Sequence, residues 1–142
     1  MANLFEDSFV VEDVDKGGKK FNRVSRLNAK ASNPIHKLCI DYNSELFKAK
    51  AGDKLTVCLV KSLKLDGTPE EKTWVPSDEP SLADKYDYVM SGKVFKIHKD
   101  HQASTWEIYV SFGGLLMSLL AETKFVNKVE QDASVYVLMR KA

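Results

Sequence analysis

At 142 residues and 16.0 kDa, the chain has the length of one compact domain and is short for two independent cores. Its 44% hydrophobic, 10% aromatic and 29% charged content is too apolar for a disordered segment. Twenty-one Lys plus Arg against 20 Asp plus Glu leave a net charge of +1, which argues against a protein whose main task is coating nucleic acid or an anionic membrane.

Along the chain the dominant period is two. Residues 5–14 and 20–28 read as a first pair of strands, with Gly17-Gly18 as a tight hairpin link between them. Charge is segregated here: residues 1–15 hold five acids and no base, and residues 16–30 hold six bases and no acid. In such a hairpin Glu12, Asp13 and Asp15 face Lys19, Lys20 and Arg23, and exposed pairs of this kind contribute only about 0.2–1 kcal/mol each. Asn33-Pro34 breaks the chain before a strand over 37–42, where Leu38, Ile40 and Tyr42 share a face. Ala51-Gly52-Asp53 then turns it into 54–62, where Leu55, Val57 and Leu59 oppose Thr56, Cys58 and Val60.

Residues 63–84 resist all periodicity, holding Gly67, three prolines and Trp74; counted through Asp87 the stretch has seven acids against three lysines, a net of −4. An irregular loop of this length inside a compact domain is uncommon and usually functional or disordered. Trp74 within it reads either as a ring tucked onto the body or as an anchor for a partner. Strand patterns resume at 86–90 and 93–98. Met90-Ser91-Gly92-Lys93 between them is either a hairpin turn or a bulge in one bent strand, and the corners of a barrel favour the bulge. His98 to Ser104 has the polarity of a hairpin tip. Strands over 105–111 and 115–120, a short helix within 122–129 and a last strand over 135–140 complete the pattern. Many short strands with little helix predict a single all-β domain over 1–142, a sandwich or small antiparallel barrel.

Chemistry-bearing constellations do not emerge. Cys39 and Cys58 sit in apolar runs and read as buried free thiols, not a disulfide framework. His36, His98 and His101 lack metal-ligand spacing with either cysteine. Ser111-Phe112-Gly113-Gly114 is not a nucleophile elbow, and Gly17-Gly18-Lys19-Lys20 lacks the spacing of a phosphate loop. The first fifteen residues are acidic and amphipathic, unlike a signal peptide, and the longest nearly uncharged run is short for a membrane span. The expectation is a soluble intracellular barrel with no catalytic residue, cofactor, metal, small-molecule ligand or membrane contact of its own. Two strands are more apolar than a small barrel needs: Tyr86-Asp87-Tyr88-Val89-Met90 and the run from Tyr109 through Gly113-Gly114 to Met117. That excess predicts a protein–protein interface.

The same segments, in order from Leu4 to Lys141, resemble the small common subunit, eighth in the usual naming, shared by nuclear RNA polymerases I, II and III. The resemblance is carried by Leu4-Phe5-Glu6-Asp7, Gly18-Lys19-Lys20-Phe21, Arg23-Val24-Ser25-Arg26-Leu27, Gly52-Asp53-Lys54-Leu55 and Leu65-Asp66-Gly67-Thr68-Pro69. It continues through Ser81-Leu82-Ala83-Asp84-Lys85-Tyr86, Gly92-Lys93-Val94-Phe95-Lys96-Ile97, Tyr109 to Met117, and Val137-Leu138-Met139-Arg140-Lys141. It implies an antiparallel barrel like the oligonucleotide/oligosaccharide-binding (OB) fold, with a long Ω-type loop at 63–84. It further implies a non-catalytic assembly subunit in the nucleus, including the nucleolus, that docks mainly on the largest polymerase subunit beside its neighbours and supports DNA-templated transcription. Tyr88, Met90, Tyr109, Phe112, Gly113, Gly114 and Leu115 are the residues expected to face that partner. Weak, non-specific single-stranded DNA contact is attributed to the family's early basic segment, here Lys16, Lys19, Lys20, Arg23 and Arg26. The alternative is a stand-alone OB-type module that binds single-stranded nucleic acid.

Overall fold

The computed structural model describes residues 3–15, 18, 23–61 and 85–141. The loop reading for 63–84, Trp74 included, lies outside the described residues. Eight strands are described: β1 (Asn3–Val14), β2 (Val24–Ala31), β3 (Lys37–Asn43), β4 (Lys54–Val60), β5 (Tyr88–Asp100), β6 (Thr105–Phe112), β7 (Leu115–Glu122) and β8 (Ser134–Lys141), with a single helical turn α1 (Thr123–Val126) before the last. They close in the order β1-β2-β3-β7-β6-β5-β8-β4, every neighbouring pair antiparallel. The expected all-β antiparallel barrel is what the chain forms.

Two long strands make the closure. β1 pairs with β4 over residues 3–10 and with β2 over 9–14, while β5 pairs with β8 over 88–93 and with β6 over 93–100. Each long strand shifts register where it changes its partner, β1 between Val11 and Asp13 and β5 between Val94 and Lys96. β1 shifts once more near its start, between Asn3 and Phe5. Residues 90–93 are therefore continuous strand, as the bent-strand reading expected, but the extra residue is Phe95, further along. Gly92 has a different duty. A Cβ there would strike the Ser111 carbonyl oxygen and the Phe112 ring, so only glycine lets β5 cross the end of β6 this closely.

Inside lies one apolar cluster fed by alternate residues of every strand, among them Phe9, Leu27, Ile40, Leu55, Val94, Ile108, Leu119 and Val137, each at 2% exposure or less. A smaller cluster on the other side of the wall joins Cys58, Val60 and Leu138 to Tyr86, Val89 and Tyr136. Both cysteines are free, Cys58 buried and Cys39 partly so.

The first hairpin departs from expectation. The described parts of β1 and β2 end at Val14 and begin at Val24, and the Gly17-Gly18 link with Lys19 and Lys20 falls mostly outside the described residues. In the observed register Val10 faces Lys30 and Asp13 faces Asn28. Glu12 meets Lys30 at 3.8 Å, Asp13 accepts from Asn28 Nδ2 at 2.9 Å, and Asp15 accepts the Arg26 backbone N–H at 3.0 Å. Charge alternation alone cannot fix a register when several bases follow one another.

Burial pushes the Cys58 thiol from 9.0 up to about 11, with Glu6 adding to the effect, and pushes the neighbouring Tyr86 hydroxyl from 10.0 up to about 12. The folded state thus prefers both neutral forms. Stability from this pair is whole below pH 9.0 and falls as pH rises toward about 11. Urea midpoints measured from about pH 8 upward should decline through that window, and Cys58→Ala should flatten the decline. Gly92→Ala should cost about 2 kcal/mol in the same assay at neutral pH.

Candidate protein-docking surface

The register sets out the barrel's outer wall as rungs. One rung runs Lys93 (β5), Ser111 (β6), Leu116 (β7); the next runs Lys96, Tyr109, Ser118, Cys39 (β3); a third runs His98, Glu107, Leu120, Lys37. These residues alternate with buried Ile108, Val110, Met117 and Leu119, which places their side chains outward. The bulge turns Phe95 outward as well, beside Lys96. Its ring lies 6.1 Å from that of Tyr109, centroid to centroid, and Lys96 Nζ stands 5.8 Å from the Tyr109 ring. Phe95 is 45% exposed and Leu116, diagonal to Tyr109, is 44% exposed. Together they form an apolar stripe across β5, β6 and β7.

Gly113 and Gly114 end this face. They link Phe112 to Leu115 with φ of +64° and +102°, the backbone hand that a two-residue hairpin of the primed type needs. A Cβ at either position would meet nothing within 4 Å, so open space surrounds the turn.

Of the seven residues expected to face a partner, Tyr109, Gly113 and Gly114 lie on this outer wall. Leu115 is half-buried against the core. Tyr88, Met90 and Phe112 are interior, and the Tyr88 hydroxyl accepts the Asn43 backbone N–H at 2.9 Å while its ring lies 5.6 Å from Phe47. Leu116 lies within the Tyr109–Met117 run expected to be an interface, though it was not singled out, and Phe95 escaped the sequence reading. Two successive apolar residues, Val94-Phe95, interrupting an alternating strand were the available sign of a bulge.

Beside the stripe the wall is tied by a charged junction. The β3–β7 ladder ends at the Ile40–Met117 pair, and there the Asp41 carboxylate takes over. Its Oδ2 accepts the Leu116 backbone N–H at 3.0 Å and Arg26 Nη2 at 3.0 Å, while Arg26 Nε donates to Oδ1. Asp41 is buried, and its hydrogen bond and charge hold the Arg26 guanidinium above its usual range. Arg23 pairs with Glu45 at 3.5 Å. Lys16, Lys19 and Lys20, the other members of the basic segment, lie outside the described residues.

A second polar cluster was not legible in sequence. His36, 1% exposed, has Nδ1 2.8 Å from Asp7 Oδ2 and its ring edge-on between Phe5 and Phe125. Asn33 Nδ2 approaches His36 Nε2 at 3.4 Å and donates to Glu122 Oε1 at 3.1 Å. With Nε2 accepting, the Nδ1–H donates to Asp7, and the cluster pins β1, the turn before β3 and the end of β7 together. Among the described residues no group of three His, Cys, Asp or Glu side chains could hold a metal ion.

Comparison with known proteins follows the same outline. The family model described as RNA polymerase Rpb8 matches residues 6–141. The chain is 42% identical over 139 residues to the Arabidopsis thaliana protein named DNA-directed RNA polymerases II, IV and V subunit 8B, covering 97% of this chain and 95% of that one. It is 40% identical over 139 residues to the Dictyostelium discoideum protein named DNA-directed RNA polymerases I, II, and III subunit rpabc3, covering 98% and 97% of the two chains. To the Saccharomyces cerevisiae protein named DNA-directed RNA polymerases I, II, and III subunit RPABC3 it is 40% identical over 153 residues, covering 99% and 100%.

The charged junction separates two roles for Arg26. Asp41→Ala strips both the guanidinium and the Leu116 N–H of their acceptor and should cost about 2 kcal/mol. Arg26→Ala leaves the N–H served and should cost about 1 kcal/mol or less, because the cation is half-exposed. Thermal melts of the two variants check the order, and the reverse order would make Arg26 the element that holds the wall.

Proposed function

The chain belongs to the RNA polymerase Rpb8 family and is a structural subunit of DNA-directed RNA polymerase, and on that premise we propose that it docks mainly on the largest polymerase subunit through the β6–β7 wall. The observation that carries this reading is the exposed apolar stripe of Phe95, Tyr109 and Leu116 ending in the open Gly113–Gly114 turn. A stripe of this kind on a barrel whose own core is already filled is surplus to folding. Tyr88, Met90 and Phe112 support the wall from within, and Leu115 bridges core and surface.

The proposal includes one domain over 1–142, no catalytic residue of its own, and work in the nucleolus as well as the nucleus. Single-stranded DNA contact is at most weak in this reading. Arg23 and Arg26 are neutralised by Glu45 and Asp41, whereas single-strand binders track the backbone with free cations and stack bases on exposed rings.

The glycine turn tests it. Gly114→Ala and Gly114→Glu place the same Cβ on a backbone of φ +102° and should each lose about 1–2 kcal/mol of stability to strain. Only the glutamate adds a charge to the docking wall. Co-purification of the tagged full chain with polymerase at near-physiological salt should recover the glutamate variant about tenfold less well than the alanine variant, a difference of about 1.4 kcal/mol. Equal recovery of the two would refute the docking role of this turn.

A further inference from the structure

We propose that the β5 side of this wall receives an acidic segment of a partner polymerase subunit, its carboxylates placed against Lys93 and Lys96 and its apolar side chains against Phe95, Tyr109 and Leu116. The inference rests on the docking reading above and adds the partner's chemistry.

Charge on the first two rungs is of one sign. The first two rungs carry two ammonium groups, Lys93 and Lys96, and neither makes an ion pair with a described residue. Of the nearby carboxylates, Asp41 is occupied by Arg26 and the Leu116 N–H, and Glu107 lies one rung further on, opposite His98. The wall therefore offers an apolar centre bordered on one side by uncompensated positive charge. A segment with carboxylates next to apolar residues matches both halves at once.

Two other occupants fit less well. A second copy of this chain is poorly served from β1, where Asp7 is held by His36, Glu12 by Lys30 and Asp13 by Asn28, and Glu6 is engaged as well. A carbodiimide crosslink between two copies would overturn the inference. A nucleic-acid strand needs phosphate partners along its track, and here the free lysines border one side of a stripe that includes an aliphatic side chain, Leu116. Lys96 already lies over the Tyr109 ring, so the stacking surface a base would use is partly taken.

The test uses the full chain assembled in polymerase. Zero-length carbodiimide coupling, which joins an amine to a carboxylate in direct contact, should link Lys93 or Lys96 to Asp or Glu of another subunit. Lys93→Glu with Lys96→Glu should lower retention in the complex about tenfold at about 0.15 M salt. The neutral pair Lys93→Gln with Lys96→Gln should lower it by about threefold, and neither double variant should shift the melting temperature, because these side chains are exposed. Normal retention of the charge-reversed variant without an intersubunit crosslink overturns the inference, while the glycine-turn comparison still decides the docking reading by itself. Normal assembly with a weakened single-stranded DNA gel shift also overturns it, and assigns the lysines to nucleic acid. If the charge-reversed variant misfolds, the crosslink on the unaltered chain decides alone.

Discussion

A sheet closed on itself has no edge to protect, and closure is the condition on which the rest of this barrel depends. It requires that β1 and β5 each serve two neighbours, and a straight strand cannot do that around so tight a wall. Each therefore bends, and each gives up one residue of register where it bends. The surface follows from that geometry. The extra residue in β5 is Phe95, and the bend that closes the barrel is what turns its ring outward beside Tyr109. Fold and docking wall thus share a cause.

Closure also leaves places where the backbone ladder stops short. At the Ile40–Met117 limit a buried carboxylate substitutes for the missing carbonyl, and at the opposite end of the same β3–β7 ladder His36 ties Asp7, Asn33 and the Glu122 neighbourhood. Both devices set acids of the early chain against groups distant in sequence.

The strands were legible because alternation survives wherever one face meets the core: Leu38, Ile40 and Tyr42, or Val135, Val137 and Met139, can be assigned by period alone. Register was not legible. The Glu12–Lys30 pair depends on a register in which Val10 faces Lys30, and six bases following five acids do not single that register out. Facing was half legible: Tyr88, Met90 and Phe112 looked like surplus apolar residues but fill the interior, while Phe95, in a strand of no assigned facing, lies outside. A single inserted residue reverses in from out, and pattern reading has no means of locating it before the pairing partners are known. The His36 cluster could not be foreseen, since its members are spread from Asp7 to Glu122.

The place of β8 carries a consequence for how the molecule comes into being. It lies between β4 and β5, pairing with both, although it follows every other strand in the chain. During synthesis β1, β2, β3 and β4 can associate, and β5, β6 and β7 can form their own meander. The two sheets can already meet through β3 and β7, but they cannot close into a ring until the final strand emerges. Until then β4 and β5 present open edges, Val57, Leu59 and Met90 among their residues, to whatever is nearby. The nascent subunit is thus most adhesive immediately before completion, and insertion of one late strand ends that hazard.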